Sequence, residues 1–167
     1  MIETILKRKS IRSFNTKPVE PEKIDTLLRA AMSAPSAPGD RPFHYIVVTD
    51  SETKQKFMEQ QQHSSFLETA PLLLVVCGNQ TSGMPNNFYM QSYGAATENI
   101  LLAAVELGLG ACWVGLAGKE EDMDFFRGLF NLPDDFLTYG GIAIGYTDVS
   151  DTAVDTYDAG KIHKEQW

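Results

Sequence analysis

Little in this sequence invites disulfide or metal chemistry. Only two cysteines, Cys77 and Cys112, stand in 167 residues, and both lie within apolar runs, LLLVVC and ACWVG. Such thiols read as buried, reduced strand residues rather than a disulfide framework. His44, His63 and His163 are scattered, without the close spacing that holds a zinc ion, so no metal is expected. No apolar run reaches the length of a membrane span, and no apolar leader opens the chain. A cytoplasmic protein with no membrane partner is expected. Positive charge is also scarce: 14 Lys+Arg against 22 Asp+Glu leave a formal net charge of -8. That balance speaks against nucleic acid as a partner, because a nucleic-acid footprint needs a basic face. No phosphate-binding P-loop is present. Gly108, Gly110 and Gly115 miss the G-x-G-x-x-G spacing, and the Gly108 and Gly110 pair follows a helix rather than a strand. No nucleophile signature surrounds any serine or cysteine, so no catalytic side chain is assigned.

The scarce positive charge is gathered in one place. Lys7, Arg8, Lys9, Arg12 and Lys17 crowd the first 17 residues against a single acid, Glu3. Two readings of the stretch RKSIRSF stand side by side. It is a solvated helix end, whose cations complement the helix dipole, or its guanidinium, ammonium and hydroxyl groups converge on an anion.

The rest of the chain alternates helical and strand signals. Ile2, Ile5 and Leu6 share a helical face. Pro21 suits the first turn of a second helix, which carries Ile24, Leu27, Leu28 and Ala31 and stops before Pro35. YIVVT (45–49) reads as a strand, 51–62 as a polar helix, LLLVVCG as a second strand and 79–87 as a turn-rich loop. AATENILLAAVEL (95–107) is apolar around most of its circumference and belongs in the centre of a fold. ACWV reads as a third strand, Glu120 onward as a helix, and FLTYGGIAIGY as the last strand, with Gly140 and Gly141 marking a bulge or close backbone approach. This alternation gives an α/β or α+β fold. The tail after Thr147 carries weak local signals.

Taken in order, RKSIRSF, PVEPEKIDTLLRAAMSAPSAPGDRPFHYIVV, AATENILLAAVELGLGACWVGL and GGIAIGY resemble the FMN-dependent nitroreductase family over nearly the whole chain. The resemblance implies one α+β, nitroreductase-like domain over residues 1–167, with a mixed central sheet flanked by helices, in a homodimer with FMN sites at the interface. It implies FMN as cofactor, NADH or NADPH as electron donor and a small-molecule acceptor such as a nitroaromatic or quinone. Arg8, Lys9, Ser10 and Arg12 match the segment that holds the flavin phosphate, ribityl chain and pyrimidine edge. Pro35, Ser36 and Ala37 match a loop that packs on the partner's flavin, with Gly39 where relatives often carry Asn. His63 matches a polar position near the pyrimidine. Gly115 and Leu116 match main-chain donors facing N5 and O4. Two alternatives accompany this reading: a specialised enzyme of the same fold, such as a reductive dehalogenase or flavin-consuming enzyme, and a flavin-binding protein of low turnover. Many relatives place phosphate-binding cations after Gly-Tyr. Here Asp148, Asp151, Asp155 and Asp158 stand in that region, so the phosphate is expected to rest on Arg8, Lys9 and Arg12, with Lys161 a helper at most.

Overall fold

The computed structural model describes residues 2–37, 39, 41–79, 86–116, 120–150 and 152–167. Helix α1 (Ile2–Lys7) leads into an extended segment, and helix α2 (Pro21–Met32) follows with proline in its first turn. Strand β1 (His44–Val48) precedes helix α3 (Ser51–Gln60), which starts at an Asp50 cap whose carboxylate accepts the Thr53 N–H. A 3-10 turn (Ser65–Glu68) leads to strand β2 (Leu72–Asn79). Helix α4 (Asn86–Glu106), strand β3 (Gly110–Gly115), helix α5 (Glu120–Phe130) and strand β4 (Phe136–Gly145) complete the fold, with a last 3-10 turn at Ala159–Lys161.

The sheet order is β1-β2-β4-β3, and every neighbouring pair is antiparallel. The mixed character expected from the sequence reduces, among the described residues, to one parallel bridge between Ser10 and Ala111. β2 and β4 sit centrally and are apolar on both faces, as helix-covered strands must be. One face carries Leu72, Leu74, Val76, Ile142 and Ile144 against α2 and α4. The other carries Leu73, Val75 and Ala143 against Phe57 of α3 and Phe126 of α5.

Two expectations are refined. α4 begins at Asn86, so the end of the loop expected over 79–87 joins the helix expected from 95 in a single, longer helix. Gly94 interrupts its apolar pattern, and the Trp113 ring lies 3.8 Å from where a β-carbon there would stand. Both readings of the last strand's glycine pair hold. The β2–β4 register shifts between Val76 and Cys77, leaving Tyr139 as the extra residue beside Gly140. A β-carbon on Gly140 would also stand 3.0 Å from the Val114 carbonyl oxygen and 2.9 Å from Trp113 Nε1. Gly108, at φ 70°, makes the left-handed turn that ends α4, closed by Leu109 N–H donating to the Ala104 carbonyl at 2.8 Å. Cys77 and Cys112 are buried strand thiols, as expected. Burial pushes the Cys77 thiol up to about 11.

Candidate functional site

The basic stretch is not helical. α1 stops at Lys7, and residues 8–12 run alongside β3. Gly110 makes this approach possible, since a β-carbon there would stand 2.7 Å from Ile11 Cγ2. The Ile11 N–H donates to the Ala111 carbonyl at 2.9 Å. Ile11 and Phe14 are buried, whereas Ser10 and Arg12 remain exposed. The apolar residues bind this strip to the core and leave its polar ones on the surface.

The strip divides two cavities. Arg8 and Lys9, with Lys7, rim one of about 310 Å³, floored by Leu101, Val105 and Leu109. Arg12 rims a second of about 170 Å³, shared with Gln61, His63, Phe66, Cys112, Trp113, Val114 and Gly115. The Arg12 guanidinium lies 6.0 Å from the centroid of the Phe66 ring. Burial pushes the Cys112 thiol up, while the Arg12 charge and the Ser10 hydroxyl pull it the other way. Along this extended strip Ser10 and Arg12 flank the buried Ile11, so their side chains share the outer face.

β3 has one edge on β4 and one edge toward Arg12. Within a strand the N–H and C=O of a residue point to the same edge, and the edge alternates along the chain. Ala111 accepts from Ile11 on the edge away from β4. By alternation Trp113 and Gly115 turn their main-chain groups to that edge as well. The Gly115 carbonyl meets a side chain there, accepting from Gln61 Nε2 at 2.7 Å. The Gly115 N–H thus faces the same side as Arg12. Leu116, just past the strand, is half-buried and packs against the core cluster that includes Phe57 and Val114.

The remaining expected positions lie elsewhere. Pro35, Ser36, Ala37 and Gly39 line neither of these two cavities. Their loop is tied to itself and to α4: Ser36 Oγ accepts from Arg41 N–H at 2.9 Å, and Ala37 N–H donates to Ser92 Oγ at 3.3 Å. Pro38 and Asp40 fall outside the described residues. The chain therefore joins Arg12, His63 and Gly115 in one cavity and Arg8 and Lys9 in the next, but does not bring the Pro35–Ala37 loop to either.

Four features escaped the sequence. Gln61 and Trp113 join the second cavity. Glu98 of α4 pairs with Arg8, Oε1 to Nε at 3.4 Å. The tail returns to the cluster: Lys9 Nζ donates to the Ser150 carbonyl at 2.8 Å and the Thr152 carbonyl at 3.2 Å, and Val154 N–H donates to the Leu6 carbonyl at 3.0 Å. Lys161 is 3.6 Å from Asp158 and lines neither of these cavities. A glutamate in an apolar helix was the one available hint. The carbonyl contacts leave no local pattern to read.

Residues 5–62 and 57–146 match the Nitroreductase family. A protein of Archaeoglobus fulgidus, provisionally named an NADH dehydrogenase/NAD(P)H nitroreductase, is 37% identical over 170 residues, covering 99% of this chain and 98% of its own. An FMN-dependent nitroreductase of Clostridium difficile superposes with a TM-score of 0.90 at 31% identity, covering 100% of both chains. The NADPH:FMN oxidoreductase of Vibrio harveyi, solved in complex with NAD+, superposes with a TM-score of 0.85 at 26% identity, covering 99% of this chain and 77% of that one. With the match spanning most of its length, this chain belongs to the nitroreductase family.

Proposed function

We propose that the chain, as one unit over residues 1–167, is an FMN-dependent NAD(P)H oxidoreductase that reduces nitroaromatic, quinone or similar acceptors. The observation that carries this reading is the donor set along the free edge of β3. The Arg12 guanidinium, the Ser10 hydroxyl and the main-chain N–H of Gly115 face one side, and no acid lines the Arg12 cavity among the described residues. Such a set fits the electron-rich edge of an isoalloxazine, which offers carbonyl oxygens and ring nitrogens as acceptors.

Bound FMN would supply the two-electron hydride chemistry that links NADH or NADPH to the acceptor in a ping-pong cycle. The protein's own groups hold and polarise. Gly115 N–H, with the following main chain at Leu116, donates toward the N5–O4 side and favours negative charge there. Arg12 compensates charge at the pyrimidine edge, with His63 beside it. Ser10 spans toward the ribityl chain, and Arg8 and Lys9 face the phosphate. No side chain need act as acid or base. Pro35, Ser36, Ala37 and Gly39 serve the partner's flavin in a homodimer. The exposed tail supports that assembly, since Val154, Tyr157, Ile162 and Trp167 keep apolar surface that their own chain does not cover. The protein works in the cytoplasm; no described helix is long and apolar enough to cross a membrane.

The test is direct. The purified chain should take up FMN, turn yellow, bleach on anaerobic addition of NADH or NADPH, and regain colour with a quinone or nitroaromatic. A protein that binds FMN but resists both nucleotides overturns the oxidoreductase reading; one that takes up no FMN overturns the site.

A further inference from the structure

Gln61 is the C-terminal cap of α3, its own N–H donating to the Phe57 carbonyl at 3.0 Å. Its side chain reaches 54 positions along the sequence to hold the Gly115 carbonyl at 2.7 Å. The neighbouring Gln60 reaches α5, donating from Nε2 to Asp122 Oδ1 at 2.6 Å. Two successive amides thus pin the end of β3 and the start of α5 to the end of α3.

What Gln61 holds is a glycine at the end of its strand. Gly115 closes β3, and a β-carbon there would meet nothing within 4 Å, so it has neither a side chain nor close packing on that side to hold its dihedrals. The carbonyl and N–H of Gly115 share one edge of the strand. The β4 ladder holds the peptide before Gly115 and Gln61 holds the one after it, so the two together keep Gly115 extended and its N–H on that edge. The same bond polarises the peptide linking Gly115 to Leu116, which strengthens the Leu116 N–H as a donor.

We infer that Gln61 is a positioning residue that raises the reduction potential of the bound flavin by holding the Gly115 main chain in its donating geometry. This rests on the flavin reading above. The two-electron reduction places negative charge on the flavin, and a pre-aimed N–H stabilises that charge without reorganising. Gln61 therefore affects the reduced cofactor more than the oxidised one.

The experiment compares wild type with Gln61→Ala and Gln61→Glu. The glutamate keeps the side-chain length but presents an acceptor to the Gly115 carbonyl. For each protein, three quantities are measured: FMN affinity of the apoprotein by fluorescence titration, melting temperature, and midpoint potential against a reference dye under anaerobic equilibrium. The expected result is oxidised-FMN affinity within about threefold of wild type and reduced-FMN affinity lower by about tenfold. That tenfold shift corresponds to a midpoint potential about 30 mV more negative for a two-electron couple. Gln61→Glu should shift it at least as far as Gln61→Ala. Unchanged potential in variants that bind FMN normally overturns the inference. Equal losses of oxidised and reduced FMN affinity also overturn it, since Gln61 would then be an ordinary binding contact. If a variant melts too low to titrate, Gln61→Asn, which keeps the amide but falls one methylene short, gives the same comparison. Failure of wild type to bind FMN instead overturns the flavin reading itself.

Discussion

The two halves of RKSIRSF meet different surroundings. Arg8 and Lys9 look into a cavity where their charge is already engaged: Arg8 lies beside Glu98, Lys9 holds two tail carbonyls, and Asp148 lines the wall. Arg12 looks into a cavity with no acidic lining among the described residues, only rings, amides, a thiol and the strand edge. One run of like charge therefore splits into an anchoring half and a donating half. The difference follows from the bridge at Ser10, because the strip lies on β3 there and sends its flanks to opposite ends. Charge density in a sequence does not tell how much of that charge is free for a ligand.

The largest effect should come from the tail. Truncation after Tyr146 removes both carbonyl partners of Lys9 and every exposed apolar residue beyond, and should convert a dimer into monomers with loss of FMN retention. Sedimentation velocity with flavin absorbance measures both, while Lys161→Ala should change neither. A dimeric truncated protein that keeps its FMN would show the anchoring half to be dispensable.

Arg12→Ala comes next. Losing a charge-assisted hydrogen bond costs about 1.5–3 kcal/mol, so FMN affinity should fall by about tenfold or more. Arg8→Ala should cost less, because Glu98 already competes for its guanidinium. Equal losses on titration would erase the distinction between the two halves. The reverse change sharpens it: Glu98→Gln should tighten FMN binding by about two- to fivefold at low salt, the range of a partly exposed ion pair. Weaker binding in that variant would make Glu98 a support for Arg8 rather than a competitor.

The smallest effect concerns the root of the tail. The Tyr146 hydroxyl donates to Glu20 Oε2 at 2.6 Å and accepts from Lys23 Nζ at 2.8 Å. The Tyr146 hydroxyl, with Lys17 adding to it, holds the Glu20 carboxyl down to about 2 from an ordinary 4.5. A depressed carboxylate stabilises the fold fully above its unfolded value, and that contribution fades as pH falls from about 4.5 toward 2. Melting temperature followed through that window should decline less steeply in Glu20→Gln than in wild type. Parallel curves would show that this carboxylate does not anchor the tail.

The central apolar strands, the proline-started α2 and the core helix were legible because each element's own residues carry its period. The first turns of α4 were not. Asn86 and Asn87 follow a turn-rich stretch, and Gly94 breaks the pattern, so local composition pointed to a loop while tertiary packing chose a helix. Arg12, His63 and Gly115 were expected at a site through a family resemblance, and the structure sets them round one cavity. Gln61 and Glu98 were not found. Each acts on a partner distant in sequence, through a side chain with no distinctive neighbours. The loop at Pro35–Ala37 was expected from the same resemblance, and in the single chain it lines neither of the two cavities.

The chain's two tryptophans fall one in each half of this contrast. Trp113 lines the Arg12 cavity, and Trp167 ends the tail fully exposed, stacked on His163 with ring centroids 4.2 Å apart. The protein therefore carries its own optical reporters. Emission from Trp113 should be quenched when a flavin occupies its cavity. Emission from Trp167 should shift to the blue when the tail leaves water for a partner. Replacing either tryptophan with phenylalanine leaves a single-colour probe, so cofactor uptake and assembly can be timed separately in one unlabelled sample.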